Sequence, residues 1–144
     1  MKKLVLFLSI LVGFTMPSLA YDFQSDNLLY SIINTNPPCV SLNGHVDGTE
    51  AQGELVIPET VTYEGHVYTV TEIADSAFMR CSGLTGVLSI PPTIQIIGRS
   101  AFSGCSGFSE LVFHDGLLEI CEEAFYGCSG FTGTLDFPET VVRI

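Results

Sequence analysis

Cysteine is the residue type whose placement in this chain most suggests chemistry. The pattern Ala-Phe-x-x-Cys-Ser-Gly-apolar occurs three times, as AFMRCSGL (77–84), AFSGCSGF (101–108) and AFYGCSGF (124–131). Cys81, Cys105 and Cys128 could be nucleophiles, disulfide halves, metal ligands or packed core groups. A tetrahedral metal site needs a completing set such as C-x-x-C or nearby histidines, and none accompanies them. Ser82, Ser106 and Ser129 each follow a cysteine, but no base recurs beside them, so they suit turns better than nucleophilic attack. His45, His66 and His114 fall in different segments with no shared spacing. No G-x-S-x-G, H-E-x-x-H or phosphate-cradling glycine loop is present. Asp47-Gly48 stands alone, without the further acids of a calcium loop. Glu119, Glu122 and Glu123 are most simply a solvated face. The residues therefore point to no catalytic, metal or cofactor site.

What positions these cysteines is a repeat. Ile73, Ile97, Ile120 and Ile144 recur every 23 or 24 residues, and the Ala-Phe pairs and cysteines keep step with them. After each cysteine comes an apolar residue (Leu84, Phe108, Phe131) and then a short alternating run. Those runs are Leu88-Ser89-Ile90, Leu111-Val112-Phe113 and Leu135-Asp136-Phe137. An earlier copy, AQGELVIPETV (51–61), aligns Leu55-Val56-Ile57 with them. The insert TYEGHVYTV (62–70) alternates polar and apolar residues about Glu64-Gly65, which predicts a β-hairpin. Prolines 58, 91 and 138 close the runs, because proline cannot donate a ladder hydrogen bond. A three-residue strand cannot bury its own apolar face, but stacking unit on unit can. The pattern predicts a β-rich solenoid over 51–144, each repeat a short strand plus a turn or short helical segment. Residues 21–50 do not fit the repeat and read as an N-terminal β-rich cap. Ile144 opens a further unit, so the repeats are expected to lack a C-terminal cap and to risk self-association there.

Residues 1–20 read as an export signal. Lys2 and Lys3 precede an apolar run over Leu4–Phe14, and Ser18 and Ala20 supply small residues for cleavage. The run is too short for a membrane span, and no cysteine near the cut suggests a lipid anchor. The remaining chain holds three arginines against all 16 acidic residues, a net charge of −13. Such a surface disfavours nucleic acid and anionic membranes as partners. A secreted or cell-surface protein with no membrane insertion after cleavage is expected.

The unit, clearest as GLTGVLSIPPTIQIIGRSAFSGC, resembles the BspA-type leucine-rich repeat of bacterial surface proteins. The resemblance is strong over 73–144 and good over 51–72. It implies a leucine-rich-repeat fold with a right-handed coil. It also implies a surface or secreted adhesin whose partner is a host matrix or plasma protein. Three features depart from the family pattern. Cys121 stands where Gly98 holds a glycine, FHDGL (113–117) replaces the Ile-Pro pair, and the repeats stop at Ile144.

Within stacked repeats the cysteines become a column. Equivalent residues one coil apart lie about 4.8 Å from each other with parallel side chains, which suits packing of free thiols better than a disulfide. Export leaves some disulfide open, and Cys39 and Cys121 fall outside the column. Function then shifts to outward residues that differ from coil to coil. Alternation places Val56, Ser89, Val112 and Asp136, with Glu54, Val87, Glu110 and Thr134 beside them, on an outward strand face. That face is either a partner surface for a protein or glycan or a plain exposed sheet. The sequence favours an exported, non-enzymatic interaction or adhesion module. Alternatives are a structural spacer or remnant of a larger surface protein, or the non-catalytic part of a secreted enzyme.

Overall fold

Parallel pairing at an offset of one repeat organises the chain. The computed structural model describes residues 21–144, and the export signal expected over 1–20 lies outside them. Among the described residues there are ten strands: β1 (Phe23–Ser25), β2 (Leu28–Thr35), β3 (Pro38–His45), β4 (Gly53–Glu54), β5 (Thr60–Tyr63), β6 (His66–Ile73), β7 (Leu84–Ser89), β8 (Ile96–Ile97), β9 (Phe108–Val112) and β10 (Glu119–Ile120). A single 3-10 turn covers Gly48–Glu50, and no α-helix occurs among the described residues.

One sheet starts with the antiparallel meander β1-β2-β3 and continues in parallel through β6, β8 and β10. Its register aligns Leu42 with Ile73, Ile73 with Ile97, and Ile97 with Ile120. β5 pairs antiparallel with β6 around Glu64 and Gly65, both at positive φ (49° and 81°), which a tight hairpin turn requires. The other sheet is the parallel series β4-β7-β9, with Glu54 opposite Thr85, Val87 opposite Glu110, and Ser89 opposite Val112. Each full repeat thus contributes two strands, not one. The isoleucine column is itself a strand column, but two residues are too few to show a period-2 pattern.

The sequence places its other strands imperfectly. β7 and β9 begin at Leu84 and Phe108, ahead of the expected Leu88 and Leu111 runs. Leu55-Val56-Ile57 follows β4 without a ladder, and Leu135-Asp136-Phe137 forms no strand. At the last of these, Thr132 still donates its N–H to Ser109 O at 3.0 Å, but beyond Gly133 no ladder to β9 resumes. That segment has β9 on one side and no strand on the other.

The expected turn or short helical segment around each Ala-Phe pair is a turn throughout. Left-handed residues interrupt it at Ser76 and Arg80, Ser100 and Gly104, and Glu123 and Gly127. Its alternate N–H groups leave the segment instead of bonding four residues back as in a helix. Ser76, Phe78 and Arg80 donate to the carbonyls of Arg99, Ala101 and Ser103 at 2.7–2.8 Å. Ser100, Phe102 and Gly104 donate to Glu122, Ala124 and Tyr126 at 2.7–3.0 Å.

Core columns follow from this stacking. Phe78, Phe102 and Phe125 lie face to face, with ring centroids 5.3 and 5.5 Å apart and planes within 5°. Ile73, Ile97 and Ile120 are buried, as are Leu84, Leu88, Phe108, Leu111 and Leu117. Leu117 keeps the column through the irregular FHDGL stretch, where Gly116 passes so close to the Pro92 carbonyl that a Cβ would overlap it. Close approach also explains the glycine of Cys-Ser-Gly. A Cβ on Gly107 would overlap Leu84 O and sit 2.7 Å from Ser82 O. Gly107 is not in the left-handed region, so space and not backbone conformation demands glycine there.

Candidate functional site

The cysteine column is settled by its hydrogen bonds. Cys105 Sγ donates to Phe78 O at 2.9 Å and Cys128 Sγ to Phe102 O at 3.1 Å. Cys81 Sγ makes the corresponding bond to Gly48 O at 3.3 Å. All five cysteines are free thiols. Burial pushes the Cys81 and Cys128 thiols up from their ordinary value and takes Cys105 from 9.0 to about 12. The thiolate is the nucleophile and the metal ligand, so these environments suppress both roles. Each thiol instead holds a backbone carbonyl, that of the preceding unit's phenylalanine for Cys105 and Cys128. Outside the column, Cys39 on β3 is half-buried. Cys121 is half-buried too, and burial, then the Glu119 carboxylate 3.7 Å from its sulfur, pushes its thiol up. Among the described residues no group of three His, Cys, Asp or Glu side chains is placed to hold a metal.

The outward strand face presents a different surface. Leu55, Ile57, Leu88 and Ile90 point into the core, so the residues between them face solvent. Val56 is 75% exposed and Val87 46% exposed, although both are aliphatic. Glu54, Val56, Val87 and Ser89 share a shallow groove of about 320 Å³ with Leu55, Ile57 and Pro91. The Glu54 side chain lies over Gly86, where a Cβ would come within 3.4 Å of it. Glu110 is exposed beside Val87, and Val112 is half-buried beside Ser89. Thr134 and Asp136 are exposed in the segment without a strand, and they do not line the groove. Six of the eight expected residues therefore lie on or beside one sheet surface, and two sit past its last strand.

A second surface escaped the sequence reading. A groove of about 520 Å³ runs along the isoleucine edge, lined by Asp75, Arg99, Glu119, Cys121, Glu122 and Arg143 with Ile120 and Ile144. Arg99 pairs with Glu122 at 3.2 Å and Arg143 with Glu119 at 2.9 Å. Asp75 accepts the Arg99 backbone N–H at 2.7 Å. The signal was present. Asp75, Arg99 and Glu122 each stand two residues after a column isoleucine and alternate in sign. These ion pairs are mostly solvated and satisfy one another, so each adds about 0–1 kcal/mol.

The comparisons with known proteins agree with this geometry. The family model described as BspA type leucine rich repeat region (6 copies) matches residues 68–144. A leucine-rich repeat protein of Bacteroides ovatus is similar at 28% identity with a TM-score of 0.70, over 84% of this chain and 30% of that one. The leucine-rich repeat protein of T. pallidum is similar at 27% identity with a TM-score of 0.66, over 83% of this chain and 51% of its own. A leucine-rich cell surface protein of Faecalibacterium prausnitzii shares the fold, at 23% identity with a TM-score of 0.64, over 76% of this chain and 29% of that one. The chain thus spans about a third to a half of the length of these relatives. No curated protein matches it.

Proposed function

The chain belongs to the BspA-type leucine-rich repeat family, and on that premise we propose that it is an exported, non-enzymatic interaction module that binds a protein or glycan through its outward strand face. The stacked repeats are taken as a right-handed solenoid, the usual hand of parallel crossovers. Residues 1–20 direct export, 21–50 cap the first coil, and 51–144 carry the repeats with their hairpin insert at 62–70. Cell-surface or secreted placement and adhesion are the roles that fit a family of this kind. No helix among the described residues is long and apolar enough to cross a membrane.

One observation carries the reading: Val56 and Val87 are exposed on a sheet whose inward positions already satisfy the core. Exposed aliphatic side chains grouped in one groove are what an interaction surface supplies. The test uses the full chain secreted from a bacterial host, applied to an array of extracellular-matrix proteins and glycans. Saturable binding to at least one probe is expected, reduced in the double variant Val56→Ser/Val87→Ser. Absence of saturable binding to any probe, or binding unmoved by that variant, refutes the assignment.

A further inference from the structure

We propose that the Val56–Val87 groove takes an extended peptide segment in which an apolar side chain is flanked by lysine or arginine. This rests on the strand face being the interaction surface and adds the chemistry of the ligand. The floor is aliphatic: Val56 and Val87 belong to successive repeats and stand over Leu55, Ile57 and Pro91. The rim is acidic. Glu54 lies against Gly86 at one side, and Glu110 sits opposite Val87 in the ladder at the other. Neither carboxylate has a cationic partner among the described residues, whose three arginines are placed elsewhere. Arg99 is held by Glu122 and Arg143 by Glu119 on the isoleucine edge, and Arg80 lies in the turn column. An apolar strip between two uncompensated carboxylates repels anionic ligands and complements a cation–apolar–cation pattern.

Three further features narrow the class. β7 is paired with β9 from Gly86 to Ser89, so on that side recognition comes from side chains and not from strand addition. The groove, about 320 Å³, admits a side chain or two and not a folded element. Its lining contains no aromatic ring on which a sugar face could stack, so a peptide fits better than a glycan. Ser89 offers one hydroxyl at the far end for orientation.

The test uses the full secreted chain and three fifteen-residue peptides that differ only at their centre: Lys-Leu-Lys, Lys-Ser-Lys and Glu-Leu-Glu. Affinity is read by fluorescence polarisation at low and high salt. The Lys-Leu-Lys peptide is expected to bind at least about tenfold tighter than either control, the ratio that 1.4 kcal/mol of differential contact produces. Val56→Ser should abolish the preference for leucine over serine. Glu54→Gln with Glu110→Gln should weaken binding several-fold and flatten its salt dependence, while Val142→Ser, outside the groove, should leave it unchanged. Circular dichroism of each variant checks that the fold is intact. Equal affinity for Lys-Leu-Lys and Lys-Ser-Lys would overturn the proposal, since simple charge adsorption would then suffice. So would indifference to the glutamine changes. If a matrix protein or glycan binds in a Val56- and Val87-dependent way while the Lys-Leu-Lys peptide does not, the ligand class is wrong and the functional assignment stands.

Discussion

Replacing Gly107 by alanine separates two physical accounts of the repeated Cys-Ser-Gly glycine. On backbone grounds alone the change should help. Gly107 is outside the left-handed region, and alanine at such a site stabilises by about 0.4–1 kcal/mol by narrowing the unfolded ensemble. Packing predicts the opposite sign. The new Cβ would overlap Leu84 O and stand 2.7 Å from Ser82 O, against an ordinary carbon–oxygen separation of about 3.3–3.6 Å. Both obstacles are backbone, so relief requires the two repeats to part by roughly 1 Å, which forfeits a quarter to a half of each affected contact. Overpacking of this kind costs about 1–3 kcal/mol, and about 2 kcal/mol would lower the melting midpoint by roughly 8 °C for a domain near this size. Gly130 provides the gradient. A Cβ there would overlap Ser106 O and Phe108 O, but the chain after it has no strand on its far side and can retreat. Thermal melts followed by circular dichroism should therefore show Gly107→Ala clearly destabilised and Gly130→Ala less so. A Gly107→Ala midpoint equal to or above that of the parent would refute the close-approach argument.

The same columns make other outcomes measurable. Phe102, fully buried between two stacked rings, should cost about 3–5 kcal/mol as Phe102→Ala in urea titrations, whereas Phe137→Ala, 46% exposed, should cost about 1 kcal/mol or less. Under native conditions iodoacetamide should label half-buried Cys39 and Cys121 before buried Cys81 and Cys105, read by peptide mass; early labelling of Cys105 would contradict its hydrogen bond to Phe78. Alkali should destabilise the fold, because Cys105 is raised from 9.0 to about 12 and Tyr30 from 10.0 to about 12. Between those values the unfolded chain loses its protons first, so stability is whole below pH 9 and falls as pH rises toward 12. A melting midpoint constant across that window would count against the buried placement of both groups.

The family and its strand-rich, repeating build were legible because stacking demands the same shape at each level. Ile73, Ile97 and Ile120, or Phe78, Phe102 and Phe125, announce themselves by recurrence alone. What recurrence does not reveal is the job each residue performs. Gly107 recurs as part of Cys-Ser-Gly without showing that it is a point of contact between backbones. Cys105 looked like a small apolar group and is also a donor to Phe78 O. The Ala-Phe segment admitted a short helix, yet Ser100 and Gly104 in the left-handed region send its N–H groups to the next unit. The candidate face was only half legible, since alternation gave the outward side of β7 and β9 but not the loss of pairing after Thr132. The charge column through Asp75, Arg99 and Glu122 was not legible by recurrence, because its residues differ in type.

The six hydrogen bonds between turn segments all run from one unit to the following one, and this has an electrostatic consequence. Peptide dipoles that point the same way add, as they do along an α-helix. The turn column should therefore carry partial positive charge on the side where its last N–H groups emerge. Those groups belong to Glu123, Phe125 and Gly127, which find no acceptor among the described residues. Glu122 and Glu123 occupy that end, where earlier units have Arg99-Ser100 and Asp75-Ser76. The doublet thus stands at the positive pole of an aligned column, as acidic side chains do at a helix N-terminus, while its carboxylates reach back to Arg99 and the Ser100 hydroxyl of the preceding unit.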